Sequence, residues 1–173
     1  GRDDPRGIGR RLADVNLSDL AAMGANPRWS LVSLAAPADL EVGVLDEIYA
    51  GLNERLAAFD ARIVGGNTAR THGPFIADLT LLGEVEPERV LTRSGAEPGD
   101  VLCVTGQLGG SAAGLELLES ETPKPVGGAM AERACRRHRN PTARVEAGRL
   151  LGQAGATSCI DISDGLVSDA RHV

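Results

Sequence analysis

The chain has 173 residues and 18 basic against 24 acidic side chains, a formal charge of −6. Its 42% apolar and 24% charged residues are the balance of a folded chain and not a disordered one, and the length suits one domain or parts of two. Aromatic residues are only 2%, too few to stack single-stranded bases, and the negative charge opposes a phosphate backbone, so nucleic acid is excluded as a partner. No window reaches the roughly 18 consecutive apolar residues of a membrane span, and the charged stretch Gly1 to Arg11 is no signal peptide, so a cytoplasmic protein without membrane contact is expected. Cys103, Cys135 and Cys159 are scattered and read as reduced thiols. Lys124 is the only lysine and stands between Pro123 and Pro125, which rules out a P-loop. Any phosphate chemistry must then rest on arginine, backbone amides and metal ions.

In chain order, apolar residues from Leu12 to Met23 recur at helical spacing, predicting a helix over 10–25 that Gly24 and Pro27 stop. Trp29 to Leu34 reads as a strand, and Asp39 as the cap of a helix carrying Leu45, Ile48, Leu52 and Leu56. Arg62-Ile63-Val64 is a short strand running into Gly65-Gly66, and Phe75 to Gly83 is another strand. Turn-forming and charged residues over 84–100 mark a boundary between two domains. Beyond it come a strand over 101–105, a helix over 111–118, a loop over 119–128, a basic run over 133–139, a helix opened by Pro141, and a strand over 157–162. Residues 165–173 read as a helix cut short. The alternation gives an α/β chain.

Acidic and amide side chains recur at element ends beside small residues: Asp19, Asn67 after Gly65-Gly66, and the pair Asp161 and Asp164. Hard cations such as Mg²⁺ take carboxylate and amide oxygens, keep several waters, and are commonly shared with substrate phosphates. Each signal has a plainer reading. Asp19 can be a solvated or capping residue, Gly65 to Thr68 a bare tight turn, and Asp161 to Gly165 a capping box with a turn glycine. Gly106 to Gly110 before a helix has the form of an anion-binding amino terminus. His72, His138 and His172 form no metal spacing.

Five segments together carry more weight: 15–25 (VNLSDLAAMGA), 64–68 (VGGNT), 91–100 (LTRSGAEPGD), 104–115 (VTG followed by SAAGL) and 160–166 (IDISDGL). In order and spacing they resemble the thiamine-monophosphate kinase family, of the aminoimidazole ribonucleotide synthetase-like superfamily. The resemblance implies a two-domain α/β fold, both domains incomplete here. Residues 1–85 would be part of an amino-terminal ATP/magnesium-binding and dimerisation domain, and 86–173 the first part of a carboxyl-terminal domain. It implies phosphorylation of thiamine monophosphate by ATP to thiamine diphosphate, Mg²⁺ dependence and a homodimer. By position, Asp19, Asn67, Asp161 and Asp164 would be magnesium ligands, and Tyr49, Gly66, Asn67, Arg93 and Ser163 would contact ATP. No side chain is assigned as a general base, because the acceptor phosphate oxygen is already ionised.

Two departures accompany the resemblance. Asn67 stands where many members have Asp, supplying an oxygen without charge, and the family's amino-terminal acidic motif and substrate-binding carboxyl-terminal positions would lie outside 1–173. The segment alone is expected to be inactive. The competing readings are another ATP-using member of the superfamily, of the selenophosphate or aminoimidazole ribonucleotide synthetase kind, and a non-catalytic nucleotide-binding or dimerisation module.

Overall fold

A computed structural model describes residues 4–120 and 128–173. Helix α1 spans Pro5–Ala22. It begins a turn and a half before the predicted start, because Asp4 caps it by accepting from the Arg6 N–H at 3.0 Å and Pro5 supplies a preset φ. Strand β1 (Asn26–Pro37), helix α2 (Val42–Ala57), strand β2 (Arg62–Thr71) and strand β3 (Ile76–Glu84) follow. The sheet order is β2-β1-β3, with β1 parallel to β2 across the α2 connection and antiparallel to β3. Helix α2 starts after Glu41 with no side-chain cap, so Asp39 does not serve the capping role read for it.

Alternation along β1 sends Ser30, Val32 and Leu34 under the helices and leaves Trp29, Leu31 and Ser33 exposed. The buried set meets Leu17 from α1, Ile48, Leu52 and Leu56 from α2, and Leu79 from β3 in one apolar cluster. Both helices cover one face of the sheet, and the other is open. The glycine pair does not end β2: pairing with β1 continues to Thr71 opposite Pro37. The register slips between Ser30 and Leu31, whose partners are Ile63 and Gly65, so Val64 is an extra residue in the ladder. A side chain at Gly66 would overlap the Val32 carbonyl, which makes this a place where two backbones approach closely.

The second half is built differently. After a 3-10 turn at Pro87–Arg89 come helices α3 (Gly110–Glu119), α4 (Ala129–Arg139), α5 (Val145–Gln153) and the single turn α6 (Leu166–Asp169), then a 3-10 turn at Ala170–His172. The expected strands at 101–105 and 157–162 have no regular structure and join no sheet, since neither has a ladder partner among the described residues. The basic run over 133–139 lies in α4, where Arg133 and Arg137 donate to the side chain and carbonyl of Gln107 at 3.2 and 3.1 Å. Most of the loop read over 119–128, with Lys124, lies outside the described residues.

The two halves are joined at α1. A side chain at Gly148 would overlap the Ala21 carbonyl, so α5 lies directly on the last turns of α1. Asp14, 3% exposed, accepts from Arg55 Nε and Nη2 at 2.8 and 2.7 Å and from the Ala143 N–H at 3.3 Å, tying α1 to α2 and to the approach of α5. Among the described residues no helix is long and apolar enough to cross a membrane.

Candidate functional site

The site forms at the carboxyl end of α1, and two backbone bonds explain why distant segments meet there. The Leu91 N–H donates to the Met23 carbonyl at 3.2 Å, bringing the chain after β3 across the end of α1. The Cys159 N–H then donates to the Thr92 carbonyl at 3.0 Å, laying the 157–162 segment beside it. Asp161 is thereby set against α1, where Ser18 Oγ donates to its Oδ2 at 3.0 Å across 143 residues of sequence.

Asp19 follows Ser18 on the same helix end. It reaches solvent, yet partial burial, the nearby Asp161 charge and the opposing pull of Arg93 leave its carboxyl above the ordinary range. Two carboxylates and a guanidinium from three segments therefore share one field. Burial likewise raises the Cys159 thiol, with Asp161 adding to the effect and a bond to the Ile160 carbonyl opposing it. Ser18, Cys159 and Asp161 line a cleft of about 510 Å³ whose other walls come from Gly106 to Ser111 and from α5. A cleft of about 610 Å³ beside the first half of α1, Phe75 and Arg139 holds none of the predicted site residues.

The structure thus brings together Asp19, Asp161 and Arg93. Asp164 and Ser163 are exposed in the loop that continues from Asp161. Asn67 and Gly66 lie on β2, where Asn67 is paired with Ser33, and half-buried Tyr49 packs against the core from α2. Among the described residues no hydrogen bond or ion pair ties Asn67, Gly66 or Tyr49 to the Asp19–Asp161 cluster.

The donor set suits a hard divalent cation: two mutually repelling carboxylates, one already aimed by a hydroxyl, at the edge of a cleft. No group of three or more His, Cys, Asp or Glu side chains among the described residues could hold a metal ion by itself. A cation here would take its remaining ligands from water and from a phosphate-bearing substrate, the usual habit of Mg²⁺.

Sequence reasoning missed two residues that shape the site. Ser18 stands inside the segment read for Asp19, and its hydroxyl is what marks it as a partner for an acid. Asp169, 4% exposed, accepts from the N–H groups of Ser163, Asp164 and Gly165 at 2.9, 3.1 and 3.1 Å. Its place four residues after a turn glycine is the signal that could have found it.

Residues 2–85 match the family described as AIR synthase related protein, N-terminal domain. That stretch, which carries all three strands of the sheet, is similar to the AIR synthase related family. Over 98% of its length it is 37% identical to the thiamine-monophosphate kinase of Bacillus subtilis (strain 168), across 169 residues and 52% of that relative. To the thiamine-monophosphate kinase of Escherichia coli (strain K12) it is 41% identical across 170 residues, 98% of this chain and 51% of the relative. The solved structure of AaThiL complexed with AMPPCP and TMP superposes with a TM-score of 0.85 at 39% identity, covering 98% of this chain and 53% of that one. The chain spans about half the length of the curated relatives it matches. The α/β fold with a small mixed sheet is that of the solved thiamine-monophosphate kinases.

Proposed function

We propose that the protein carrying this chain is a thiamine-monophosphate kinase, transferring the γ-phosphoryl group of ATP to the phosphate of thiamine monophosphate to give thiamine diphosphate. One observation carries the reading: Asp19 and Asp161 converge, with Arg93 beside them, in a chain aligned over 98% of its length with AaThiL complexed with AMPPCP and TMP. The acceptor oxygen is ionised near neutral pH, so the obstacle is repulsion between two polyanions and not proton removal. Asp19 and Asp161, with Asp164 from the adjoining loop, would hold Mg²⁺, which when bound would supply positive charge against the repulsion of the two polyanions, and Asn67 on β2 is assigned a separate metal contact. Arg93 neutralises further phosphate charge, and Ser18 fixes the direction in which Asp161 presents its free oxygen. Tyr49, Gly66 and Ser163 are assigned to the nucleotide.

Residues 1–85 are assigned to an amino-terminal domain and 86–173 to the start of a carboxyl-terminal one. A homodimer belongs to this reading too. The open face of the sheet carries exposed Trp29, Leu31, Ile76 and Leu82, with Trp29 directly opposite Leu82, an apolar surface that a second copy would cover. The three cysteines are free, in keeping with a cytoplasmic setting.

The test is product formation by the protein that carries this chain. Thiamine diphosphate should appear only when ATP, Mg²⁺ and thiamine monophosphate are all present. ATP consumption that ignores thiamine monophosphate but responds to selenide or to formylglycinamidine ribonucleotide would transfer the assignment to another branch of the superfamily. Asp19→Asn should abolish turnover and weaken metal binding; near-normal turnover at low Mg²⁺ would remove Asp19 from the mechanism.

A further inference from the structure

The loop that follows Asp161 has no regular structure to hold it. Among the described residues, 157–162 join no sheet, Ser163 and Asp164 are exposed, and α6 is a single turn. Its shape has one visible source. Oδ2 of Asp169 accepts three consecutive backbone N–H groups, from Ser163, Asp164 and Gly165, at 2.9, 3.1 and 3.1 Å. The Asp169 N–H donates back to the Gly165 carbonyl at 3.0 Å, so the loop is closed from both directions. Gly165 adopts φ +108°, a conformation that side-chain-bearing residues avoid, and this lets three successive amides turn toward one oxygen. Asp169 itself is 4% exposed, so its charge is stabilised mainly by these donors.

We infer that Asp169 is a positioning residue for the phosphate-transfer site, fixing the loop that presents Asp161, Ser163 and Asp164 without itself touching metal or nucleotide. The inference rests on the kinase reading above. Its physical content is that three amides fixed on an internal carboxylate cannot rearrange freely, so the side chains between Asp161 and Gly165 keep the directions needed when a cation and phosphate arrive. Supporting groups of this kind alter metal affinity or activity by about 10–100-fold when removed.

The experiment compares Asp169→Ala, Asp169→Asn and the exposed neighbour Ser168→Ala in the protein that carries this chain. Two readouts are taken: amide hydrogen exchange at 163–165 without metal, and the KM for Mg²⁺-ATP alongside kcat. Asp169→Ala should unprotect all three amides and raise the KM by about 10-fold or more. Asp169→Asn keeps an acceptor oxygen without its charge and should lie between Ala and wild type, while Ser168→Ala changes neither readout. Should Asp169→Ala fail to fold, Asp169→Asn with a thermal melt equal to wild type carries the same comparison. Unprotected amides with an unchanged KM and kcat would overturn the inference while leaving the kinase reading standing. A wild-type protein that binds ATP without regard to Mg²⁺ would instead remove the reading on which the inference rests.

Discussion

The first 84 residues and the remainder solve the problem of an unfinished sheet in opposite ways. In the first half three strands pair and two helices close one face, so Leu17, Ile48, Leu52 and Leu56 are 1% exposed or less. In the second half the segments 101–105 and 157–162 pair with no strand among the described residues, and Val101 and Leu102 remain 83% and 66% exposed. Of its buried apolar side chains, Ala143 and Val145 enter the core of the first half, and Leu91 lies beside Gly24 at the end of α1. The second half is therefore held by what it leans on, α1, and the candidate site lies along that seam. Regions with few buried apolar contacts open most readily, so the seam is where the site is most easily lost.

The largest expected effect comes from breaking the closed half. Leu52→Ala should cost about 2–5 kcal/mol in urea unfolding, whereas Leu150→Ala, at a side chain 54% exposed, should cost less than about 1 kcal/mol. Equal losses would erase the contrast. Next is the latch across the seam. Asp14→Ala strands the Arg55 guanidinium and the Ala143 N–H, and because Arg55 keeps about a quarter of its side chain in solvent, a loss of about 2–3 kcal/mol is expected, again by denaturant titration.

Gly148→Ala sharpens the comparison. The added methyl overlaps the Ala21 carbonyl, and a cost of about 1–3 kcal/mol should fall on the seam. Hydrogen exchange should then quicken in α5 while β1 and β3 stay protected; uniform quickening would mean that the halves unfold as one. The smallest effect is local. The Thr157 hydroxyl, at 2.7 Å, and then the Glu97 N–H hold the Asp100 carboxyl below its ordinary range. A depressed carboxyl contributes stability above its unfolded value and loses that contribution as pH falls through its folded one. Thr157→Val should move the Asp100 titration upward, as read by NMR; an unmoved midpoint would show that the bond does not form in solution.

How much of this was legible in the sequence follows the same divide. Helical spacing from Leu12 to Met23 and alternation along Trp29 to Leu34 reflect burial against a core, and those elements are present. Gly65-Gly66 read as a stop because local conformational cost was visible and the ladder to β1 was not; nine paired positions carry the strand through. Residues 101–105 and 157–162 have strand composition, but a strand exists only with a partner, and none lies among the described residues. The basic stretch over 133–139 carried no apolar period, although Cys135 and Ala134 pack as helix residues against Gly114. At the site, residue type and position marked Asp19 and the pair Asp161 and Asp164, each with a plainer reading beside it, and Arg93 came only from the family resemblance. The supporting bonds from Ser18 and to Asp169 depend on chain crossings that no local pattern encodes.

The central claim is that Asp19 and Asp161 act on one cation. A double-mutant cycle with Asp19→Asn and Asp161→Asn, read as Mn²⁺ affinity by electron paramagnetic resonance in the presence of ATP, tests it most directly. The account predicts that each substitution weakens binding and that the second adds little once the first is made. Strictly additive losses, or an affinity that neither substitution alters, would contradict it.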